Sequence, residues 1–343
     1  MADDSRKPAK KTGKKRRSRK DMLESFYAQF SSKDQVLVTI DPDPDAIASA
    51  LAVRRLLWRK VQSTTVGMIR PIRRLNNVTM VRLLKLPLTL LTKKMDLSTF
   101  DKFVLVDAQP VHNELFQKLS YSAIIDHHPT THPSDAPFMD VRPDYGSTST
   151  ILISYLRAAK IKPSATLATA LLYGIKTDTR NFERHTLVED IEAFRTLYPL
   201  ANHSALRKIE ISDLSLEDLK FFQKAVERRH VSRDRIYAHL DEVPLADILV
   251  EVAEFFLKIH DISWSIISGI YDEALIVVIR NDGYRKDAGK VVREAFGSIG
   301  CAGGHASMAR AEIPLENLSL VMGKVNPSSV EKFVRKKLSP YKK

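Results

Sequence analysis

From Gln35 onward, short apolar runs rich in β-branched residues alternate with stretches whose apolar positions recur at helical spacing. That alternation is the pattern of βαβ units and predicts an α/β fold: a parallel-sheet domain with helices on both faces. The runs VLVTI at 36–40, TTVGMI at 64–69, FVLVDA at 103–108 and SAIID at 122–126 predict strands. Helical spacing predicts helices over 45–60, 147–160 and 164–176. Within the first, AIASALAVRRLLWRK, Trp58 reads as core filling rather than a platform for a ligand. Ser147 or Thr148, following Gly146, is the expected N-cap of the second.

Residues 213–230 read as a helix with a charged side that connects this region to a fresh set of β signals. Strands are predicted at 236–240, 264–272 and 274–280, helices near 246–258 and 288–296, and a glycine turn over GSIGCAGGH. This order describes a second, smaller α/β domain. The expected division is a basic tail at 1–20, a first domain at 21–205, a helical linker at 206–233, a second domain at 234–325 and a basic C-terminal tail at 326–343.

A length of 343 residues suits two domains, and the apolar share of 44% with 28% charged residues is that of a globular chain. No stretch approaches the roughly 18 uninterrupted apolar residues of a membrane span. No apolar core of a secretory signal is present, and Cys301 has no partner for an internal disulfide, so a reducing cytoplasm is the expected compartment. Cys301 is expected to pack as a small apolar residue.

Of the formal net charge of +13, residues 1–20 supply +8, from ten Lys or Arg against Asp3 and Asp4. Lacking apolar periodicity, this tail is expected to be disordered. Such an arm either makes nonspecific contact with nucleic acid or an anionic surface through counterion release, or is a solubilising extension.

The candidate chemistry lies at the ends of the first domain's apolar runs. VLVTI leads into Asp41, Asp43 and Asp45; FVLV into Asp107; SAII into Asp126, His127 and His128; and LLYGIK into Asp178. The carboxyl ends of parallel strands share one edge, so these side chains are expected to converge there. Taken singly, each has a plain structural explanation as a turn, a cap or a surface residue. Together they suit divalent cations, and the carboxylate majority favours Mn²⁺. Two ions about 3.5–4 Å apart would clamp a hydroxide and stabilise charge on a phosphoryl group.

These residues resemble the DHH phosphoesterase superfamily. Asp126, His127 and His128 match the triplet that names it; PDPDAIAS at 42–49, LVDA at 105–108 and YGIKTDTRNF at 173–182 match further motifs in the family's order. VIRNDGYRKDAGKVVREAFGSIGCAGGHASMA at 278–309 resembles the DHH-associated domain. The resemblance implies two Mn²⁺ ions, or Mg²⁺, with Asp43 on one, Asp45, His127 and Asp178 on the other, and Asp107 bridging. It implies that Asp126 orients its neighbours and that His128 stabilises the scissile phosphoryl group. Arg280, Gly303, Gly304 and His305 would hold the far part of a substrate clamped between the domains.

Two departures stand out. Family members usually carry a histidine where this chain has Thr39, so Asp41 is the expected compensating ligand. CAGGH stands where four glycines commonly precede the histidine, which restricts that loop. The resemblance is to the nanoRNase and nucleotide-phosphatase branch. It implies hydrolysis of short single-stranded RNA, linear dinucleotides or 3′-phosphoadenosine 5′-phosphate by a metal-bound hydroxide. Exopolyphosphatase activity is one alternative; a nucleotide-binding protein with weakened catalysis, because of Thr39, is another. A homodimer is compatible with the sequence.

Overall fold

The computed structural model describes residues 18–130, 132, 134–184, 186–283, 286–323 and 326–339. The chain divides into two compact units between Ser212 and Asp213. Residues 1–17 of the expected basic tail lie outside the described residues.

The first unit contains, in order, α1 (Arg19–Tyr27), β1 (Gln35–Ile40), α2 (Pro44–Leu57), β2 (Ser63–Met68), α3 (Leu75–Leu84), β3 (Thr89–Leu90) and β4 (Lys102–Val106). It continues with α4 (Glu114–Gln117), β5 (Ala123–Asp126), β6 (Phe138–Val141), α5 (Thr148–Ala158), α6 (Ala165–Asp178), α7 (Val188–Leu197) and α8 (His203–Glu210). Its strands form one parallel sheet in the order β3-β2-β1-β4-β5-β6. The order reverses direction between β1 and β4, which makes the crevice beyond their carboxyl ends the topological switch point of a doubly wound sheet.

Both faces of this sheet are covered, which is why its strands read as nearly continuous apolar runs. Val104 and Val106 of β4 face one core with α2, α5 and α6, while Leu105 faces a smaller one with Phe116, Tyr121 and Ile124. The period of two along a strand separates the two faces.

Several expectations are corrected here. Arg19 and Lys20 belong to α1, whose N-terminus is closed by a reciprocal Ser18–Asp21 capping box and whose Phe26 is fully buried against Phe138 and Tyr155. Trp58 is 60% exposed, because α2 ends at Leu57 and the chain turns away there, leaving Leu56 and Leu57 to fill the core. Strands β3 and β6 have two and four residues, too short to carry a readable period.

The second unit contains α9 (Leu219–Glu227), β7 (His230–Ser232), β8 (Arg235–Glu242), α10 (Asp247–Leu257), β9 (Trp264–Tyr271) and β10 (Ala274–Asn281). Then follow α11 (Ala288–Phe296), β11 (Cys301–Gly304), β12 (Met308–Pro314), α12 (Leu315–Met322) and α13 (Pro327–Leu338). The sheet order is β11-β12-β10-β9-β8-β7, with β8 and β9 parallel and the other pairs antiparallel.

Within the expected connecting segment, α9 packs Phe221 and Ala225 into this unit's core and keeps its charged side outward. The expected glycine turn is in part an edge strand: Cys301 to Gly304 pair with β12, and Cys301 is exposed rather than packed. The basic C-terminal segment is a helix over 327–338, solvated on one side only. Val330, Val334 and Leu338 recur every four residues and are buried, so lysines and arginines occupy only the outer side of α13.

Candidate metal centre

Each acidic side chain of the cluster is placed by a backbone feature of its own. Asp43 caps α2, its carboxylate accepting from Ala46 N at 2.8 Å. Asp45, two residues further on and fully buried, points at the start of α5 and accepts from Thr148 N at 2.6 Å and Ser149 N at 2.9 Å. Two unpaired helix-end amides therefore hold a carboxylate inside the protein. Ser147 is the N-cap of α5, as expected.

Asp107 follows β4 with φ of 59°, a left-handed conformation that aspartate tolerates better than most residues. Its carboxylate accepts from Thr148 Oγ1 at 2.7 Å. Asp178 is the last residue of α6.

Adjacency of β1 and β4, with β5 next in the sheet, brings these groups to His127. Ligand atoms of Asp45, Asp107, His127 and Asp178 all lie within 4.8 Å of one another, as do those of Asp107, His127 and His128. Among the described residues, neither set contains Asp43 or Asp41. Asp41 instead forms an ion pair with Arg70 at the surface. Thr39 is buried, and its hydroxyl donates to the Val104 carbonyl at 3.2 Å, closing β1 onto β4.

The histidines are oriented from behind. Asp126 is fully buried and accepts from His127 N at 2.8 Å, from His128 Nδ1 at 2.8 Å and from Gln109 Nε2 at 2.7 Å. Burial alone would raise its pKa, but the hydrogen bonds from His128 and Gln109 outweigh it and hold the carboxyl below its ordinary value. The His128 side chain is 43% exposed, and the hydrogen bond to Asp126 raises its pKa.

His127 Nδ1 lies 3.0 Å from the Tyr145 carbonyl, which can only accept, so Nδ1 carries a hydrogen. Its Nε2 is buried without a directed hydrogen bond and lies 3.1 Å from Asp178 Oδ2 and 3.6 Å from Asp107 Oδ1. A neutral ring would thus turn a lone pair toward carboxylate oxygens, an arrangement that only a cation, proton or metal, makes favourable.

The protonation equilibria give the same sense. Burial, with the Asp45 charge adding, raises Asp43 to about 6; burial and Asp178 raise Asp45 to about 6. Asp107 is raised well above the carboxylate range by burial and by Asp45, and Asp178 by burial and Asp43. For His127 burial opposes protonation, yet Asp178 and Asp45 outweigh it and raise the ring to about 9. Carboxylate oxygens around one imidazole nitrogen fit a hard or borderline divalent cation.

Several supporting residues carried no sequence signal beyond their neighbourhood: Ser149, Gln109, the Tyr145 carbonyl and Asp190; Thr148 stood out only as a candidate helix cap. Fully buried Asp190 accepts from Gly146 N at 3.1 Å, Thr150 Oγ1 at 2.6 Å and Leu187 N at 2.8 Å, tying the segment that bears Tyr145 and Thr148 to α7. Gly174 of α6 is needed for close approach. A Cβ there would meet Ser149 Oγ at 2.8 Å and Asp45 Cα at 3.0 Å. Gly174→Ala is expected to cost about 1–3 kcal/mol of stability by overpacking and to weaken Mn²⁺ binding. Calorimetric titration checks this, and an unaltered affinity would show that Asp45 is not held by this contact.

In the second unit, Arg280 and Met308 are paired, and His305 N bonds Met308 O, so Arg280 and His305 share one end of the sheet. Arg280 is buried with Nε 3.3 Å from Glu254 Oε1, whereas His305 is exposed. Gly304 has φ of +149°, and a Cβ on it would meet Met308 O at 2.3 Å; Gly303 faces open space.

Residues 35–175 match the DHH family, N-terminal domain. An uncharacterized protein of Methanocaldococcus jannaschii is 35% identical over 305 residues, covering 88% of this chain and 63% of that protein. The chain therefore spans less than two thirds of that relative's length. An exopolyphosphatase-related protein from Bacteroides fragilis shares the fold, with a TM-score of 0.67 at 17% identity over 94% of this chain and 96% of that one. RecJ from Thermus thermophilus, in complex with Mn²⁺, aligns with 94% of this chain and 60% of its own at 12% identity and a TM-score of 0.49. Asp45, Asp107 and His127 thus all fall inside the stretch that matches the DHH family, N-terminal domain, and Asp178 lies just beyond it.

Proposed function

We propose that the chain is a divalent-metal-dependent phosphoesterase that hydrolyses small nucleotide esters: short single-stranded RNA, linear dinucleotides or 3′-phosphoadenosine 5′-phosphate. The observation that carries this reading is the meeting of Asp45, Asp107, His127 and Asp178 at the switch point, with His127 Nε2 turned into the carboxylates. Asp45, Asp107, His127 and Asp178 would hold one Mn²⁺ or Mg²⁺ ion; Asp43, beside them, would serve a second together with Asp107. When bound, such ions supply Lewis-acid charge to a phosphoryl oxygen and ease deprotonation of water.

The protein's own groups do the rest. Asp126 fixes the His128 ring through Nδ1, which leaves Nε2 as the atom that donates to a phosphoryl oxygen. Tyr145 O and Thr148 Oγ1 hold His127 and Asp107 in place against their mutual crowding. The second domain's His305, with Gly303 and Gly304 beside it, is the proposed contact to the remainder of the substrate; Arg280 would first have to exchange Glu254 for it.

Polyphosphate is the competing substrate, in keeping with the name of the Bacteroides neighbour. Purified protein with Mn²⁺ is expected to cleave a linear dinucleotide or 3′-phosphoadenosine 5′-phosphate faster than it releases phosphate from polyphosphate. The reverse order would replace the nucleotide reading with an exopolyphosphatase. Nucleotide binding with no turnover of any of the three would instead mark a sensor, and Thr39 would be its cause.

A further inference from the structure

The far ends of α2, α3 and α6 line an open cavity, of about 390 Å³, that the metal centre does not use. Its floor is apolar, from residues such as Leu86, and Trp58 forms one wall while 60% of its surface stays exposed. Arg54, Arg55 and Lys85 line it together with Ser164, the N-cap of α6, and no carboxylate is among the lining residues. Asp45 and Trp58 lie 13 residues apart along α2 and its C-cap, which at helical rise places the cavity about 20 Å from the metal centre.

We propose that this cavity binds a nucleotide, a purine nucleoside monophosphate in chemical class, at a site separate from the catalytic one. A purine ring stacks on the Trp58 indole, which offers a broad aromatic face beside an apolar floor. The phosphate is held by the Arg54, Arg55 and Lys85 cations and by the first-turn amides of α6 behind Ser164. An acidic peptide would satisfy the cations but leave the indole without a planar partner. A purely apolar ligand would strand the cations. The volume falls in the range of small-molecule pockets.

The test is a titration of the full-length protein in EDTA with 5′-AMP, followed by tryptophan fluorescence. Trp264, the other tryptophan, is 4% exposed, so quenching reports on Trp58. Saturable quenching is expected. The exposed or half-exposed pair Arg54→Gln/Lys85→Gln should weaken it about tenfold or more, and Trp58→Ala should abolish the signal together with binding measured by equilibrium dialysis. Asp107→Ala, at the metal centre, should leave affinity unchanged. The proposal is overturned if quenching does not saturate at millimolar 5′-AMP, if the double substitution leaves it intact, or if Asp107→Ala removes it. It is equally overturned if inorganic phosphate, adenosine or an acidic peptide binds as tightly as 5′-AMP.

Discussion

Asp107→Asn is expected to lower turnover of phosphate esters about 10²–10³-fold or more while the fold stays intact. Asparagine keeps an oxygen for the Thr148 hydroxyl, which now donates to Asp107 Oδ1 at 2.7 Å, and it tolerates the left-handed backbone at φ 59°. What disappears is one negative charge at the centre of the cluster. The same loss should weaken Mn²⁺ binding and, with divalent ions removed, raise the melting temperature by a few degrees, about 1 kcal/mol, because folding no longer has to protonate a carboxyl there or bury its charge beside the others. Kinetics with Mn²⁺ and melting in EDTA check both halves. Full turnover by the variant would end the case for this cluster as the catalytic one.

Stability of the metal-free protein should fall as pH rises, and divalent ions should restore it. Asp43 and Asp45 both titrate near 6 in the folded chain, above their unfolded values, and each binds its proton more tightly when folded. Their contribution is complete below about pH 4 and is lost as pH rises through 6. His127, raised to about 9, acts in the same direction, its contribution disappearing from pH 6.5 through 9. Together these shifts amount to an effect on the order of a few kcal/mol. Mn²⁺ replaces the lost protons: at a hundredfold excess over its Kd it adds about 2.7 kcal/mol. Denaturation in EDTA and in Mn²⁺ at pH 5 and pH 8 measures this. A gain from Mn²⁺ that is smaller at pH 8 than at pH 5 would contradict the assignment of these groups as ligands.

The candidate site was partly legible in the linear order of residues because of a property of parallel sheets. All strands run the same way, so every apolar run that ends in an acidic or histidine residue delivers it to one edge. Asp107 and His127 follow such runs directly and Asp45 comes soon after one, whereas Asp178 ends a helix; the shared edge is legible, but their meeting within 4.8 Å depends on β1, β4 and β5 being neighbours. Asp41 shows the limit of that logic. It stands in the same acidic stretch as Asp43 and Asp45, yet Arg70, 29 positions away, pairs with it at the surface. Trp58 shows another: helical spacing marks it as apolar-face, but the helix stops one residue earlier and leaves it outside.

By itself the sequence determined the α/β class, the motif order and the residues able to carry charge to one edge, because periodicity and residue chemistry are local properties. Only the tertiary structure decided that β1 and β4 are neighbours and that α5's first amides grip Asp45. It alone turned His127 by the Tyr145 carbonyl and drew Asp190 to Gly146 across 44 positions. Those contacts rest on backbone groups that every residue possesses and on long chain separations, so nothing in residue type announces them.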